Sequence, residues 1–411
     1  MNILLINHYA GAPNMGMEYR PYYLAKEWVD SGHNVTIVAA SFSHLRSRNP
    51  EVEKDVQEEI IEGIRYVWLK TSPYEGNGIG RIRNMLQFIW RLRRYAPKQL
   101  ANKTIDAVIA SSTYPLDIYT AHKVQKQHNA RFIFEVHDLW PLSPMELGNI
   151  PAWHPYIMLM QKAENDAYRF CDAVVSLLPC ADQHMFQHGL DIQKFNYLPN
   201  GINISEWEDI KEELPYEHMQ IFNQLNNNKQ LIIGYAGSHG ISNALDVLVD
   251  TGRDTINQNI AYVFIGNGPE KERLIQRAKE LALYNVYFLP PVKKSMIFAL
   301  LNMFDVCYIG SQKNPLYRFG VSPNKLMDYM MSAKPIIYAI EAGNDPVKEA
   351  GCGISVSPED PEAVADAIRQ LAGMSKSERE NMGQRGRDYV LKHHDYRVIA
   401  RRFLEVISST Q

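Results

Sequence analysis

The sequence is poor in cysteine: Cys171, Cys180, Cys307 and Cys352 are scattered through 411 residues, with no Cys-x-x-Cys spacing and no histidine pattern beside them. That speaks against a disulfide framework and against a cysteine-based metal site, and it fits a reducing compartment. An excess of one charge sign is also missing. The 43 Lys and Arg against 46 Asp and Glu leave a formal net charge of -3, so nothing global points to nucleic acid, and a basic partner surface has to be local. Long apolar runs are absent too, since no window approaches the roughly 20 residues of a membrane span. The opening Met1-Asn2-Ile3-Leu4-Leu5-Ile6-Asn7 has no basic lead and too short an apolar run for a secretory signal, so a cytoplasmic protein is expected. What is present, 45% hydrophobic and 22% charged residues, is the composition of a folded chain long enough for two or three domains.

Its organisation is a repeated strand, loop and helix. Residues 2–7 form an apolar run, 10–16 a Gly/Pro/Asn loop and 18–30 an amphipathic helix. Ser31-Gly32-His33 ends that helix, and Val35-Thr36-Ile37-Val38 opens the next strand, as in a βαβ unit with a parallel sheet. Ligands sit beyond the carboxyl ends of strands in such sheets, where Gly11 and Gly16 let backbone approach a substrate, although glycines also serve turns alone. Residues 43–62 are polar and acidic without a strong apolar period and read as a lid or plain insertion before the strand 64–69. Further strands fall at 107–110, 131–136 and 173–177, and the polar stretch 206–228 places a domain boundary near residue 205. Strands 231–236, 261–265, 286–289, 306–309, 336–339 and 353–356 then repeat the pattern. Two similar α/β halves sharing a cleft are therefore expected, residues 1–204 and 205–395, with the last helical segment, about 396–411, returning to the first.

The richest stretch is Arg318 to Ile337. Ser322 is a favoured helix N-cap and Pro323 a favoured first helical residue, so the N–H groups of Asn324, Lys325 and Leu326 are expected to point out of the helix end. Those donors, the helix dipole and the Lys325 ammonium make an anion site, and Asp328 one turn on is placed to accept from hydroxyls. Phosphate beside a diol describes a nucleotide; a capped helix with both side chains solvated is the plainer reading. In the same half, Gly237-Ser238-His239-Gly240 and Gly266-Asn267-Gly268-Pro269-Glu270 follow strands, and Pro290-Pro291-Val292-Lys293-Lys294 is a rigid loop whose backbone can read a base edge.

Two features of the first half carry chemistry. His137 and Asp138 follow a strand in Glu135-Val136-His137-Asp138 and can bind sugar hydroxyls or assist proton transfer, or be structural. Residues 81–103 interleave Arg81, Arg83, Arg91, Arg93, Arg94, Lys98 and Lys103 with Met85, Leu86, Phe88, Ile89, Trp90 and Leu92. This basic amphipathic helix suits an anionic membrane surface, or else buries Phe88 and Trp90 in its own domain beneath an arginine-rich face.

These residues taken together resemble the family-four retaining glycosyltransferases of GT-B fold, with two Rossmann-like domains. The resemblance covers essentially the whole chain. It rests on Asn14-Met15-Gly16-Met17-Glu18, Leu198-Pro199-Asn200-Gly201-Ile202, Tyr235-Ala236-Gly237-Ser238-His239-Gly240, Ile265-Gly266-Asn267-Gly268-Pro269-Glu270 and Ser322-Pro323-Asn324-Lys325-Leu326-Met327-Asp328-Tyr329, in that order. Within the family the chain is most similar to fucosamine-type transferases of O-antigen and capsule assembly. The resemblance implies transfer of an N-acetylated amino or deoxy-amino hexose from a nucleotide donor, UDP by expectation, to a lipid-linked saccharide. It implies no metal and no cofactor, with an acceptor-binding first domain and a nucleotide-sugar-binding second one.

Carried over residue by residue, the resemblance puts His137, Lys325 and Asp138 in the catalytic role. Gly16, Gly237, Ser238, Asn243, Gly266, Asn267, Val292, Gly320, Ser322, Pro323, Asn324, Leu326 and Asp328 fall around the donor. Two departures stand out. The family's Glu-x7-Glu pair has Gly320 in its first place and Asp328 in its second, and its diphosphate-neutralising Arg and Lys fall on Ser238 and Asn243. More of the diphosphate charge then rests on Lys325 and the helix end, with Arg318 or Lys313 as reserves. A nucleotide-sugar epimerase and a non-catalytic sugar-nucleotide-binding subunit of a membrane assembly are the alternatives, the second favoured by the same departures.

Overall fold

The computed structural model describes all residues except 17–19, 77, 209–211, 257, 410 and 411, so Met17 and Glu18 of the early loop motif lie outside the described residues. The chain divides into two compact units, Met1–Asn200 with Tyr396–Gln411, and Gly201–Asp395.

The first unit is built on an eight-stranded sheet. Its strands are β1 (Asn2–Ile6), β2 (Asn34–Ala40), β3 (Val56–Ile61), β4 (Ile64–Leu69), β5 (Ala107–Ala110), β6 (Arg131–Val136), β7 (Ala173–Ser176) and β8 (Phe195–Tyr197), in the order β3-β4-β2-β1-β5-β6-β7-β8. All neighbours are parallel except β3, which runs antiparallel to β4. The 43–62 stretch is thus no simple insertion. Its second part closes the sheet edge through a tight turn in which Glu62 and Gly63 both take positive φ (49° and 82°). No apolar alternation marks β3, because Glu58, Glu59 and Ile60 in a row are exposed; its acids instead have partners on β4, Glu58 pairing with Arg65 and Glu59 accepting from Trp68 Nε1 at 3.0 Å. Charged side chains also protect an edge strand from pairing with another chain.

The helix Arg20–Asp30 buries Tyr22, Tyr23, Leu24 and Trp28 against this sheet. The terminal helix Tyr396–Ser408 packs on it: Trp28 Nε1 donates to Ala400 O at 3.0 Å, and Tyr23 stacks on Tyr396 with ring centroids 4.9 Å apart.

The basic segment folds as the helix Ile79–Gln99, ending before Lys103. Its two aromatic residues part company. Phe88 is fully buried with Met85 and Leu92, whereas Trp90 is 51% exposed on a face it shares with Ile79, Ile82 and Leu86. Arg83, Arg93, Arg94 and Lys98 are exposed along the same helix. Among the described residues no helix is long and apolar enough to cross a membrane.

The second unit is a six-stranded, all-parallel sheet. It comprises β9 (Leu231–Ala236), β10 (Ile260–Ile265), β11 (Val286–Leu289), β12 (Val306–Gly310), β13 (Ile336–Ala339) and β14 (Gly353–Ser355), in the order β11-β10-β9-β12-β13-β14. β10 reads as an unbroken apolar run because both its faces are covered: Ala261, Val263 and Ile265 join one core, Ile260, Tyr262 and Phe264 the other. The polar stretch 206–228 does not form a linker. It contains the helix Tyr216–Asn227, which buries His218, Phe222 and Leu225 in the second unit. Most of that helix's surface faces water, which made the segment read as polar.

Candidate active site

In the second unit the loops after β9 and β10 are joined backbone to backbone. Gly237 N–H donates to Ile265 O at 2.9 Å, His239 N–H to Asn267 O at 2.9 Å, and Glu270 N–H to His239 O at 3.0 Å. The approach is so close that a Cβ on Gly266 would stand 1.8 Å from Gly237 O, so glycine is required there. The joined loops line a cavity of about 280 Å³ with Ala236, Gly237, Ser238, Ile265, Gly266, Asn267, Pro291, Val292, Ile297 and Leu300. The side chain of His239, on the first of these loops, is buried. Burial, then Lys271 and Lys325, lower its pKa to about 4, so its ring is neutral near pH 7.

Lys325 meets these loops from the helix Asn324–Met331. Its Nζ donates to Tyr235 Oη at 2.6 Å, sits 4.1 Å from the centre of the Tyr235 ring and is 3.4 Å from Asn243 Oδ1. Tyr235 Oη and Asn243 Nδ2 in turn donate to Ser238 O, at 2.6 and 3.0 Å. The Asn243 amide therefore meets Lys325 directly, and the Ser238 carbonyl holds both Tyr235 and Asn243 in place around it. Burial lowers the Lys325 pKa to about 8 and raises that of Asp328 to about 7, the latter offset by Lys294 and reinforced by Glu206. Tyr235 opens the Tyr235–Gly240 motif, but the sequence gives its side chain no role. Its strand position made it a core residue, and only the fold shows its hydroxyl reaching the lysine.

The helix start differs from expectation. Ser322 is not the capping residue and Pro323 is not the first helical one: Pro323 is extended (φ -73°, ψ 123°) and occupies the N-cap, so the helix begins at Asn324. The Leu326 N–H is not free either, since it donates to Pro323 O at 3.0 Å, and the Leu326 side chain is core. Asn324 and Lys325 are left to present outward N–H groups. Gly320 precedes this end at φ 96° and ψ 168°, a conformation that a residue with a side chain would adopt only under strain. Arg318 turns onto its own segment, with Nη1 at 2.5 Å from Pro315 O and the guanidinium over the Phe319 ring, and the Lys313 side chain is exposed.

In the first unit, β6 ends in a buried charged network. Glu135, fully buried, accepts from Arg20 Nε at 3.0 Å and from Ser111 Oγ at 2.5 Å. Ser111 Oγ is also 3.0 Å from His137 Nε2, which stands 3.3 Å from Glu135 Oε2. With Ser111 donating to the carboxylate, its oxygen accepts from His137, so the proton sits on Nε2. Burial alone would raise the Glu135 carboxyl, but Arg20, then His137 and Ser111, hold it down at about 2. Glu135 is therefore enclosed and positions His137. Asp138 is exposed beyond the network, and Gly16 forms an isolated antiparallel bridge with Arg46. Arg20 and Ser111 escaped notice because their role depends on β1, β5 and β6 lying side by side.

Two Rossmann-like parallel sheets with loops of this kind at their strand ends have solved counterparts. Sucrose-phosphate synthase from Thermosynechococcus elongatus superposes with a TM-score of 0.70 at 16% identity, covering 98% of both chains. Anabaena HepE in complex with UDP gives 0.68 at 15% identity, covering all of both chains. An E. coli trehalose-6-phosphate structure bound with UDP-2-fluoro glucose gives 0.72 at 13%, again over the full length of both. The fold is thus that of the GT-B glycosyltransferases. Residues 15–201 match the glycosyl transferase 4-like domain and residues 230–373 the glycosyl transferases group 1 domain, and the chain belongs to this glycosyltransferase family. A protein described as a colanic acid biosynthesis glycosyl transferase, WcaI of Escherichia coli K12, is 25% identical over 196 residues; the match spans 46% of this chain and about half, 47%, of that protein.

Proposed function

We propose that this chain is a retaining, metal-independent glycosyltransferase. It moves a sugar, an N-acetylated amino or deoxy-amino hexose, from a UDP-type donor to a lipid-linked saccharide in surface polysaccharide assembly. The observation that carries the reading is Lys325, held by Tyr235 and Asn243 at a helix N-terminus beside the Gly237–Gly266 loops. A leaving diphosphate is charge-stabilised there by the ammonium and the outward N–H groups, preorganised donors of the kind that stabilise transition states. Asp328 takes the ribose hydroxyls, and the backbone about Val292 the base. His137, its tautomer fixed by Ser111 and Glu135, orients the sugar; Asp138 assists, and Gly16 brings backbone to the phosphate or acceptor. The acceptor hydroxyl attacks on the face the diphosphate leaves, and the departing phosphate oxygen takes the proton. The UDP and UDP-glucose complexes of HepE and the name of the WcaI relative support a nucleotide-sugar donor and a polysaccharide product.

The test is incubation with labelled UDP-N-acetylhexosamines and a lipid-diphosphate sugar. Transfer of label with retained anomeric configuration and with EDTA present is expected. Donor isomerisation without acceptor would replace the reading by an epimerase, and binding alone by a sugar-nucleotide-binding subunit.

The acceptor's lipid gives the helix Ile79–Gln99 a purpose. Ile79, Ile82, Leu86 and Trp90 fall at helical spacing on its exposed face, with Arg83, Arg93 and Arg94 alongside. This is the side on which the protein meets an anionic membrane. Each basic residue near such a surface contributes about 1 kcal/mol. The wild-type protein is expected to sediment with phosphatidylserine-containing liposomes at low salt and to be released at high salt. Trp90→Glu should lose most of that binding without loss of fold, and failure of the wild type to sediment would end the membrane reading.

A further inference from the structure

A cluster in the first unit, one buried carboxylate with two half-buried histidines, has no part in the transfer reaction. Glu164 lies on the helix Pro155–Phe170, His184 on the short helix Asp182–Gln187, and His188 at the C-cap of that helix. One ligand atom from each lies within 4.8 Å of the other two. The two histidines are four residues apart, one turn of helix, and their ring centroids are 4.5 Å apart.

The surroundings are short of positive charge and of hydrogen-bond donors. Glu164 is 2% exposed, and its carboxylate accepts from Tyr168 Oη at 2.9 Å and Gln161 Nε2 at 2.8 Å, both neutral. Among the described residues its one ion-pair contact is His184 Nε2, at 3.6 Å. A carboxylate taken out of water in this way is costly unless a cation meets it. The donors are overdrawn as well. Gln161 Nε2 has two hydrogens, which Glu164 Oε2 and Asn165 Oδ1 take at 2.8 Å each, so none is left for His188 Nδ1 at 3.0 Å. A group that brings positive charge and accepts lone pairs resolves both deficits.

We propose that Glu164, His184 and His188 bind a divalent transition-metal ion, zinc by the chemistry of the donor set, at a structural site separate from the transfer chemistry. Two imidazoles and one carboxylate are a zinc-type set, whereas magnesium and calcium prefer oxygen alone. Ligand atoms about a tetrahedral zinc lie roughly 3.3 Å apart, given bonds of about 2.0–2.1 Å, so the side chains close by an ångström or so on loading. The histidines and their approach are partly open to solvent, which gives the ion entry, and solvent completes the coordination. Bound there, the ion pins the short helix after β7 to the long helix before it.

The test is calorimetric titration of tag-free, chelator-treated full-length protein with zinc, with magnesium and calcium as controls. One equivalent of zinc is expected to bind and magnesium not to. Saturating zinc should raise the melting temperature of the wild type. Both effects should fall by 10²-fold or to nothing in His188→Ala and Glu164→Gln. If His188→Ala unfolds, as circular dichroism will show, His188→Asn replaces it. Absence of stoichiometric zinc binding, or equal binding by wild type and His184→Ala/His188→Ala, overturns the proposal. Neither result touches the transferase reading, because sugar transfer is scored separately with EDTA present.

Discussion

Lys325→Ala is expected to lower kcat/KM for the donor by 10²-fold or more. Removal of one preorganised charge-stabilising donor from a reacting centre typically costs about 10²–10³ in rate. Here the loss has little to fall back on: Ser238 and Asn243 beside the lysine are uncharged, and Arg318 is folded onto Pro315 and Phe319. Lys325→Arg should restore little, because the ammonium is seated between the Tyr235 hydroxyl, 2.6 Å away, and the packed glycine loop, where a Cβ on Gly237 would lie 2.7 Å from Nζ. Tyr235→Phe is the informative companion. It keeps the ring face over which the ammonium sits and removes the hydroxyl, so a smaller loss separates positioning from charge. Near-normal turnover by Lys325→Ala would refute the assignment.

The same site dictates a pH profile. Lys325 must carry its proton to meet a diphosphate, and burial has brought its pKa down to about 8, so activity falls as pH rises through that value. Asp328 accepts from hydroxyls most strongly as the carboxylate, and burial has brought its pKa up to about 7, so activity falls as pH drops through that value. The profile of kcat/KM, which reports groups of the free enzyme, is therefore expected to be a narrow bell between about 7 and 8. In Asp328→Asn the acid limb should disappear while the alkaline limb stays.

The sequence disclosed the βα rhythm because both faces of a parallel sheet are covered, so strands such as β10 appear as plain apolar runs. It disclosed the loops as well, since tight turns at strand ends select Gly and Asn. What it concealed has a common cause. β3 lies at an edge with three exposed residues in a row, so it has no apolar alternation to read, and its place in the sheet shows only once Arg65 and Trp68 are seen beside it. The capping of the helix at Asn324 hinges on Pro323 taking ψ 123°, which residue preference does not foretell. Tyr235, Ser111 and Arg20 act through neighbours 90, 24 and 115 positions away, a separation no local pattern records. The motifs were legible as stretches of sequence; the contacts that seat one motif residue against another were not.

Arg20→Met tests the most consequential of those hidden contacts, and it is expected to destabilise the first unit by about 3–5 kcal/mol, the usual cost of removing one partner from a buried ion pair. Arg20 is 3% exposed and faces a fully buried Glu135. It also donates to Pro199 O at 2.5 Å and Leu198 O at 3.1 Å, so its loss leaves two carbonyls without that donor as well as a carboxylate without its cation. At roughly 2–4 °C per kcal/mol for a unit of this size, the melting temperature should fall by on the order of 10 °C. The sign of the pH dependence follows from the depressed Glu135 pKa. In the wild type the pair's contribution is fully present above the unfolded carboxyl value, near 4.5, and is lost only as pH falls through about 2. In Arg20→Met the carboxyl takes up a proton more readily, so the variant should be most destabilised at neutral pH and recover part of the deficit near pH 4. Adding Glu135→Gln removes the stranded charge and should regain stability relative to the single variant, a coupling readable in a double-mutant cycle. The same Glu135→Gln change, made alone, frees the His137 tautomer and should lower kcat more than it changes KM; a stability loss with unaltered turnover would make the network structural and nothing more.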